Sequence, residues 1–233
     1  MKRSTLETPE AVARAAAECL AELLADALAR RGVAHAALTG GTSAGPVYER
    51  LAPLLPSWRD VHLWWGDERC VAPGDADANY AIGARTLIEP QGIPAVHVHR
   101  MRGELGPEEG ARAYAAELSE HVPADASGMP RLDVVDLGLG PDGHVASLFP
   151  NHPALDVDDV PATGVRGAPK PPPERITLTV PALRAARQCV IHTAGADRRD
   201  AVERLLGPAS ADTPASLLDP DRLLVIVDRA AAP

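Results

Sequence analysis

Three short polar stretches hold the residues best suited to chemistry: "TGGTSAG" (Thr39–Gly45), "GDER" (Gly66–Arg69) and "GPDGH" (Gly140–His144). In the third, His144 follows a glycine turn and Asp142 stands two residues before it. An imidazole beside a carboxylate is suited to taking a proton near neutral pH. The spacing predicts a helix start at His144, whose positive end would disfavour imidazolium and keep the ring basic. In "GDER", Asp67 is a candidate to position a sugar or a catalytic group, and Arg69 offers a planar fork that matches a phosphate. In "TGGTSAG", glycines after a strand free backbone N–H groups, and Thr42 and Ser43 add hydroxyls. With the positive end of the next helix, Gly40, Gly41, Thr42 and Ser43 make a cradle sized for a phosphate.

Other spellings compete for the same residues. Gly138, Gly140 and Gly143 read G-x-G-x-x-G, the dinucleotide fingerprint. Asp142 would then set a fixed negative charge beside a pyrophosphate. The match also follows the fourth predicted strand, and no ribose-binding acid ends the next one. "GTSAG" reads G-x-S-x-G, which would make Ser43 a hydrolase nucleophile, but it follows the first predicted strand and no oxyanion loop of the H-G-G-G type precedes it. The glycine pair Gly40 and Gly45 has P-loop spacing but is followed by Pro46-Val47 instead of Lys-Ser/Thr. His97 and His99 alternate on a predicted strand. Without an H-E-x-x-H or Cys/His framework they read as structural, and no metal site is assigned.

The elements that must position these loops alternate between helix and strand. Thr8-Pro9 starts a helix that Gly32 stops. "HAALTGG", "DVHLWWG", "AVHVHRM", "LDVVDLG", "RITLTV", "CVIHTAG" and "LLVIVD" read as strands, with helical stretches between most of them. This pattern predicts an α/β fold of Rossmann-like topology: a mainly parallel sheet with helices on both faces. Ligands bind such sheets beyond the carboxyl ends of the strands, where all three polar loops fall. The 233 residues suit one α/β domain spanning 1–233, with a Pro- and Asp-rich surface loop near 151–174 as a possible lid. A net charge of −9 without a basic run argues against nucleic acid, and three Trp, three Tyr and one Phe offer little base stacking. Three scattered cysteines, no signal peptide and no bilayer-length apolar run predict a cytoplasmic protein without membrane partners.

Together these loops resemble the 6-phosphogluconolactonase family, within a superfamily that also contains glucosamine-6-phosphate deaminase. The matching stretches are "LTGGTSAGPVYERL", "WWGDERCVAPGDADANY", "DLGLGPDGHVASLFPNHPAL", "PKPPPERITLTVPAL" and "TAGADRRDAVERLL", in family order along most of the chain. The resemblance implies hydrolysis of a sugar-phosphate lactone, 6-phospho-D-glucono-1,5-lactone, with no cofactor or metal. It implies His144 as the base that activates water and Asp67 as the group that places the substrate or the histidine. Gly40, Gly41, Thr42, Ser43 and Arg69 would hold the phosphate, with Asp142 beside them. Arg198 of "GADR" stands where the family commonly has lysine. A deaminase would need a carboxylate after the histidine, and "VASLFPNHP" supplies none. A sugar-phosphate sensor that binds without turnover is the alternative from another class, and it would not need Asp67, Asp142 and His144 together. A monomer is the working expectation.

Overall fold

The computed structural model describes residues 1–233. In chain order the elements are β1 (Lys2–Leu6), α1 (Pro9–Arg31), β2 (Ala34–Leu38), α2 (Ala44–Leu51), β3 (Val61–Trp65), β4 (Asp67–Arg69), α3 (Asn79–Gly83), α4 (Glu89–Gln91), α5 (Pro107–His121), β5 (Val134–Leu137), β6 (Ala162–Val165), β7 (Arg175–Leu178), α6 (Val180–Ala185), β8 (Cys189–Thr193), α7 (Arg199–Leu205) and β9 (Leu223–Asp228). Helix α1 begins and ends as its sequence dictates. The Thr8 hydroxyl accepts the Ala11 N–H at 3.2 Å, Pro9 opens the first turn, and Gly32 closes the last at φ 74°. Val12, Ala16, Leu20, Leu24 and Ala27, three or four residues apart, form its buried face.

Six strands form a parallel sheet in the order β1-β9-β8-β5-β2-β3. Strands β2, β5 and β8 are buried at every residue, which is why they read as apolar runs without alternation. Strands β2 and β5 are neighbours, but the chain leaves β2 toward β3 and leaves β5 toward β8. The carboxyl ends of this pair are therefore the switch point where such sheets open a crevice. The "TGGTS" and "GPDGH" loops leave from those two strand ends.

The structure departs from the sequence expectations in five places. "KRSTL" forms an edge strand, β1, so "GTSAG" follows the second strand and not the first. Arg175–Leu178 is not in the main sheet. It is the centre of a small antiparallel sheet, β4-β7-β6, in which Asp67 pairs with Thr177 and Ala162 with Leu178. "GDER" is thus partly strand, and the segment 151–174 contains β6 and a 3₁₀ turn at Pro153–Asp156 as well as loop. "AVHVHRM" is not a strand. Pro94 opens a 3₁₀ turn over Ala95–His97, and only Val98 bridges to Leu63. Finally, no helix begins at His144. Gly143 (φ 92°) and Ala146 (φ 50°) are left-handed, so the chain turns there instead.

Candidate active site

A cavity of about 800 Å³ opens at the carboxyl ends of the parallel strands. Gly40, Gly41, Thr42, Ser43, Asp67, Arg69, His144 and Arg198 all line it. Asp142 is not in the wall but holds His144, so all nine residues singled out in the sequence converge on one place.

The glycine loop after β5 is built around the Asp142–His144 pair. His144 Nδ1 lies 2.5 Å from Asp142 Oδ1, and that oxygen also accepts the His144 backbone N–H at 3.3 Å. Burial alone would raise the Asp142 carboxyl, but the hydrogen bond and charge of His144 outweigh it and hold it at about 2. An ionised Asp142 fixes the proton on Nδ1 and leaves Nε2 as the basic nitrogen. A Cβ on Gly140 would sit 2.1 Å from His144 Nδ1 and 2.6 Å from Asp142 Oδ1. Only glycine leaves room for the pair there. The Gly140 N–H bonds the His144 carbonyl at 2.9 Å and the Gly143 N–H bonds the Gly140 carbonyl at 3.0 Å, which closes the loop on itself. The G-x-G-x-x-G spelling therefore serves a carboxylate–imidazole pair, and no helix N-terminus is present for a pyrophosphate. Phe149 packs on the imidazole with ring centroids 4.8 Å apart.

The cradle lies at the end of β2. The backbone N–H groups of Gly40, Gly41, Thr42 and Ser43 make no hydrogen bond within the protein. Four successive unspent donors are the preparation an anion needs. Gly40 cannot carry a side chain, because a Cβ would fall 1.7 Å from Asn79 Oδ1. Ser43 precedes α2 but its side chain makes no capping bond. Beneath the cradle, the buried Tyr48 hydroxyl accepts the Thr39 N–H at 2.7 Å and reaches Asp136 Oδ2 at 2.7 Å. Burial, then the Asp136 charge, push the Tyr48 phenol well above its ordinary value. His192 Nε2 is 3.1 Å from the other Asp136 oxygen, close enough for an ion pair but out of line for a hydrogen bond. The Gly138 N–H meets Thr39 Oγ1 at 3.4 Å, a long contact that joins the two loops.

Asp67 is 5% exposed, and its carboxylate is already engaged. Its Oδ1 accepts Asn79 Nδ2 at 3.0 Å, and its Oδ2 accepts the Ser147 hydroxyl at 2.5 Å. It makes no hydrogen bond to His144; Asp142 has that part. Asp67 instead braces Asn79, which packs against Gly40. Next to it, buried Glu68 accepts the N–H groups of Arg69, Asn79 and Tyr80, each at 2.7 Å. Burial pushes its carboxyl up to about 7, against those three donors, which favour the ionised form. Arg69 gives one Nη1 bond to the Asp77 carbonyl at 2.6 Å and keeps a buried Nε without a partner. Arg198 pairs with Asp197 and lines the cavity. Sequence reasoning gave no role to Asn79, Lys170 or Arg175, which also line it. Asn79 and Arg175 lie in "DANY" and "ERITLT", where the only signal is a polar residue next to an apolar run.

Relatives carry the same arrangement of elements. The family model described as glucosamine-6-phosphate isomerases/6-phosphogluconolactonase matches residues 7–227. A 6-phosphogluconolactonase of Streptomyces coelicolor is 40% identical over 235 aligned positions, covering 96% of this chain and 90% of that protein. One from Synechocystis is 34% identical over 217, covering 91% and 89%. The solved structure of 6-phosphogluconolactonase from Trypanosoma brucei superposes with a TM-score of 0.89 at 25% identity, covering 99% of this chain and 97% of that one. With the match running from α1 into β9 and so through every loop of the cavity, the chain belongs to the glucosamine-6-phosphate isomerase/6-phosphogluconolactonase family.

Proposed function

We propose that this protein hydrolyses 6-phospho-D-glucono-1,5-lactone to 6-phospho-D-gluconate, a step of the oxidative pentose phosphate pathway. The observation that carries the reading is the Asp142–His144 pair on a cavity that also holds four unspent N–H donors. The cradle, with Arg69 and Arg198, binds the phosphate and brings C1 to the imidazole. His144 Nε2 takes a proton from water as the oxygen attacks C1. The C1–ring-oxygen bond of the tetrahedral intermediate then breaks, and the imidazolium returns the proton to the departing oxygen. A lactone opens slowly by itself, so positioning plus a base giving about 10²–10⁴-fold is sufficient chemistry.

The deaminase reading needs a further carboxylate after the histidine, and the cavity wall there is Ala146 and Phe149. The three free cysteines support a reducing, cytoplasmic setting.

Proton release in a pH-stat tests the reading, with freshly prepared lactone against its spontaneous background. Acceleration is expected from the wild type. No acceleration, with a bound sugar phosphate recovered unchanged, would leave a sensor instead.

A further inference from the structure

The proposed reaction makes a second anion. The lactone is neutral at C1, the intermediate carries an oxyanion there, and the product carries a carboxylate. A donor that meets C1 only after charge develops lowers the barrier rather than deepening the ground state. The cradle, Arg69 and Arg198 serve the phosphate and leave this second charge without a cation.

Arg175, the first residue of β7, is 5% exposed and lines the cavity. Its Nε donates to the Pro172 carbonyl at 3.1 Å and its Nη2 to the Lys170 carbonyl at 2.9 Å. Those two bonds anchor the 170–173 segment, and a structural role would need nothing more. Nη1 is different. Its nearest acceptors are Ser147 Oγ at 3.5 Å and Asp67 Oδ2 at 3.9 Å. Neither is a full partner: the first contact is at the outer limit of a hydrogen bond and the second is a loose ion pair beyond it. A nearly buried guanidinium that keeps unspent N–H groups on a cavity has capacity for an anion.

Its place fits the reacting end. The Arg175 guanidinium carbon sits 5.6 Å from the centre of the Phe149 ring, and the same ring packs on His144 at 4.8 Å. The cation and the proposed base thus both pack on one aromatic side chain. Lys170, whose carbonyl Arg175 holds, also lines the cavity.

Resting on the lactonase reading, we propose that Arg175 binds the anion at C1, the oxyanion as it forms and the carboxylate of the product. Two ligands isolate this group: 6-phosphogluconate, and glucitol 6-phosphate, which has a CH₂OH in place of the carboxylate. Their affinities are measured by calorimetry, alongside lactone hydrolysis. Wild type should prefer the carboxylate by about tenfold or more, the value of one charge-assisted fork. Arg175→Gln should abolish that preference, leave glucitol 6-phosphate binding within about twofold, and lower kcat by about 10²-fold, as expected for a lost oxyanion donor. Arg175→Lys keeps the charge and should retain part of the preference, which keeps the test open if the glutamine variant fails to fold. An unchanged preference in either folded variant, or equal loss of both ligands, would make Arg175 an anchor and overturn the proposal. Absence of lactone turnover by wild type would instead strike the lactonase reading, while the ratio of the two affinities would still judge the anion site.

Discussion

His144 and the histidines gathered around Trp64 are the same side chain put to opposite uses. His144 stands on a glycine loop with one carboxylate at 2.5 Å, one phenyl ring beside it, and a cavity in front. The other group draws His35 from β2, His62 from β3, His97 and His99 from the segment after Pro94, and His121 from the end of α5. Trp64 stacks on His99 with ring centroids 3.9 Å apart and planes 7° from parallel. His62 Nδ1 and His99 Nε2 are 2.9 Å apart, and His99 Nδ1 meets Glu117 at 2.6 Å. Burial, then the neighbouring histidines His62, His99 and His121, with Arg31, push His35 down to about 4. Burial, then His97, His99 and His121, do the same to His62, with Asp60 opposing. These two rings are neutral packing material, in a chain with a single Phe. Residue type thus decides little. A carboxylate that fixes one nitrogen, and open space at the other, make an imidazole a base.

The sharpest way to break this contrast is to exchange the roles. His144→Ala should lower kcat by about 10²–10⁴-fold, the usual worth of a general base. His97→Ala in the cluster should leave kcat within about twofold, since the half-buried His97 packs on His62 and does not line the cavity. Equal losses in the two variants would dissolve the distinction. A second variant leaves both imidazoles in place. Gly140→Ala should drive a methyl group into the His144 ring and lower kcat by about tenfold or more through misplacement alone. Binding of 6-phosphogluconate to that variant, followed by calorimetry, should persist.

The cluster should announce itself in acid. The folded-state values of His35 and His62 lie below the ordinary value of 6.5, so the unfolded chain binds more protons between the two. Their stabilising contribution is complete above about pH 6.5 and is lost as the pH falls through about 4. Asp142 behaves in the same direction at lower pH, from its ordinary 3.8 down to about 2. Urea unfolding from pH 7 to 4 should show falling stability, and His62→Gln should flatten that slope without changing turnover at pH 7. An unchanged slope would remove His62 from the account. The smallest effect belongs to the cradle. Ser43→Ala should weaken phosphate binding by about two- to tenfold, one hydrogen bond's worth, and spare kcat. A loss of kcat as deep as that of His144→Ala would make Ser43 a nucleophile.

What could be read from the chain was what short range decides. Thr8, Pro9 and Gly32 delimit α1 by local capping, and glycines after apolar runs mark the loops where β2 and β5 end. The three polar loops were recognisable, but their division of labour was not. The sequence offers Asp67 to the substrate or to His144; in the structure it lines the cavity, makes no bond to His144 and braces Asn79 and Ser147. That outcome depends on β4 pairing with β7 about a hundred residues away in sequence, a contact no local pattern encodes. The same long-range pairing hid Arg175 in a strand and β6 in an apparent loop. "KRSTL" has no apolar alternation because the strand is exposed along all but its last residue, so neither face has to be apolar. "AVHVHRM" alternates well and still turns, because Pro94 sets the turn and withholds a donor.

The placement of β1 ties the edge of the sheet to the cavity. Strand β1 has no neighbour except β9, with Lys2 beside Leu224. The first turn of α1 follows directly from β1, and its Pro9, Glu10, Val12 and Ala13 form one side of the cavity. The edge of the sheet and the wall of the cavity are thus one continuous stretch of chain, so a change that frees β1 from β9 acts on that wall through a single turn.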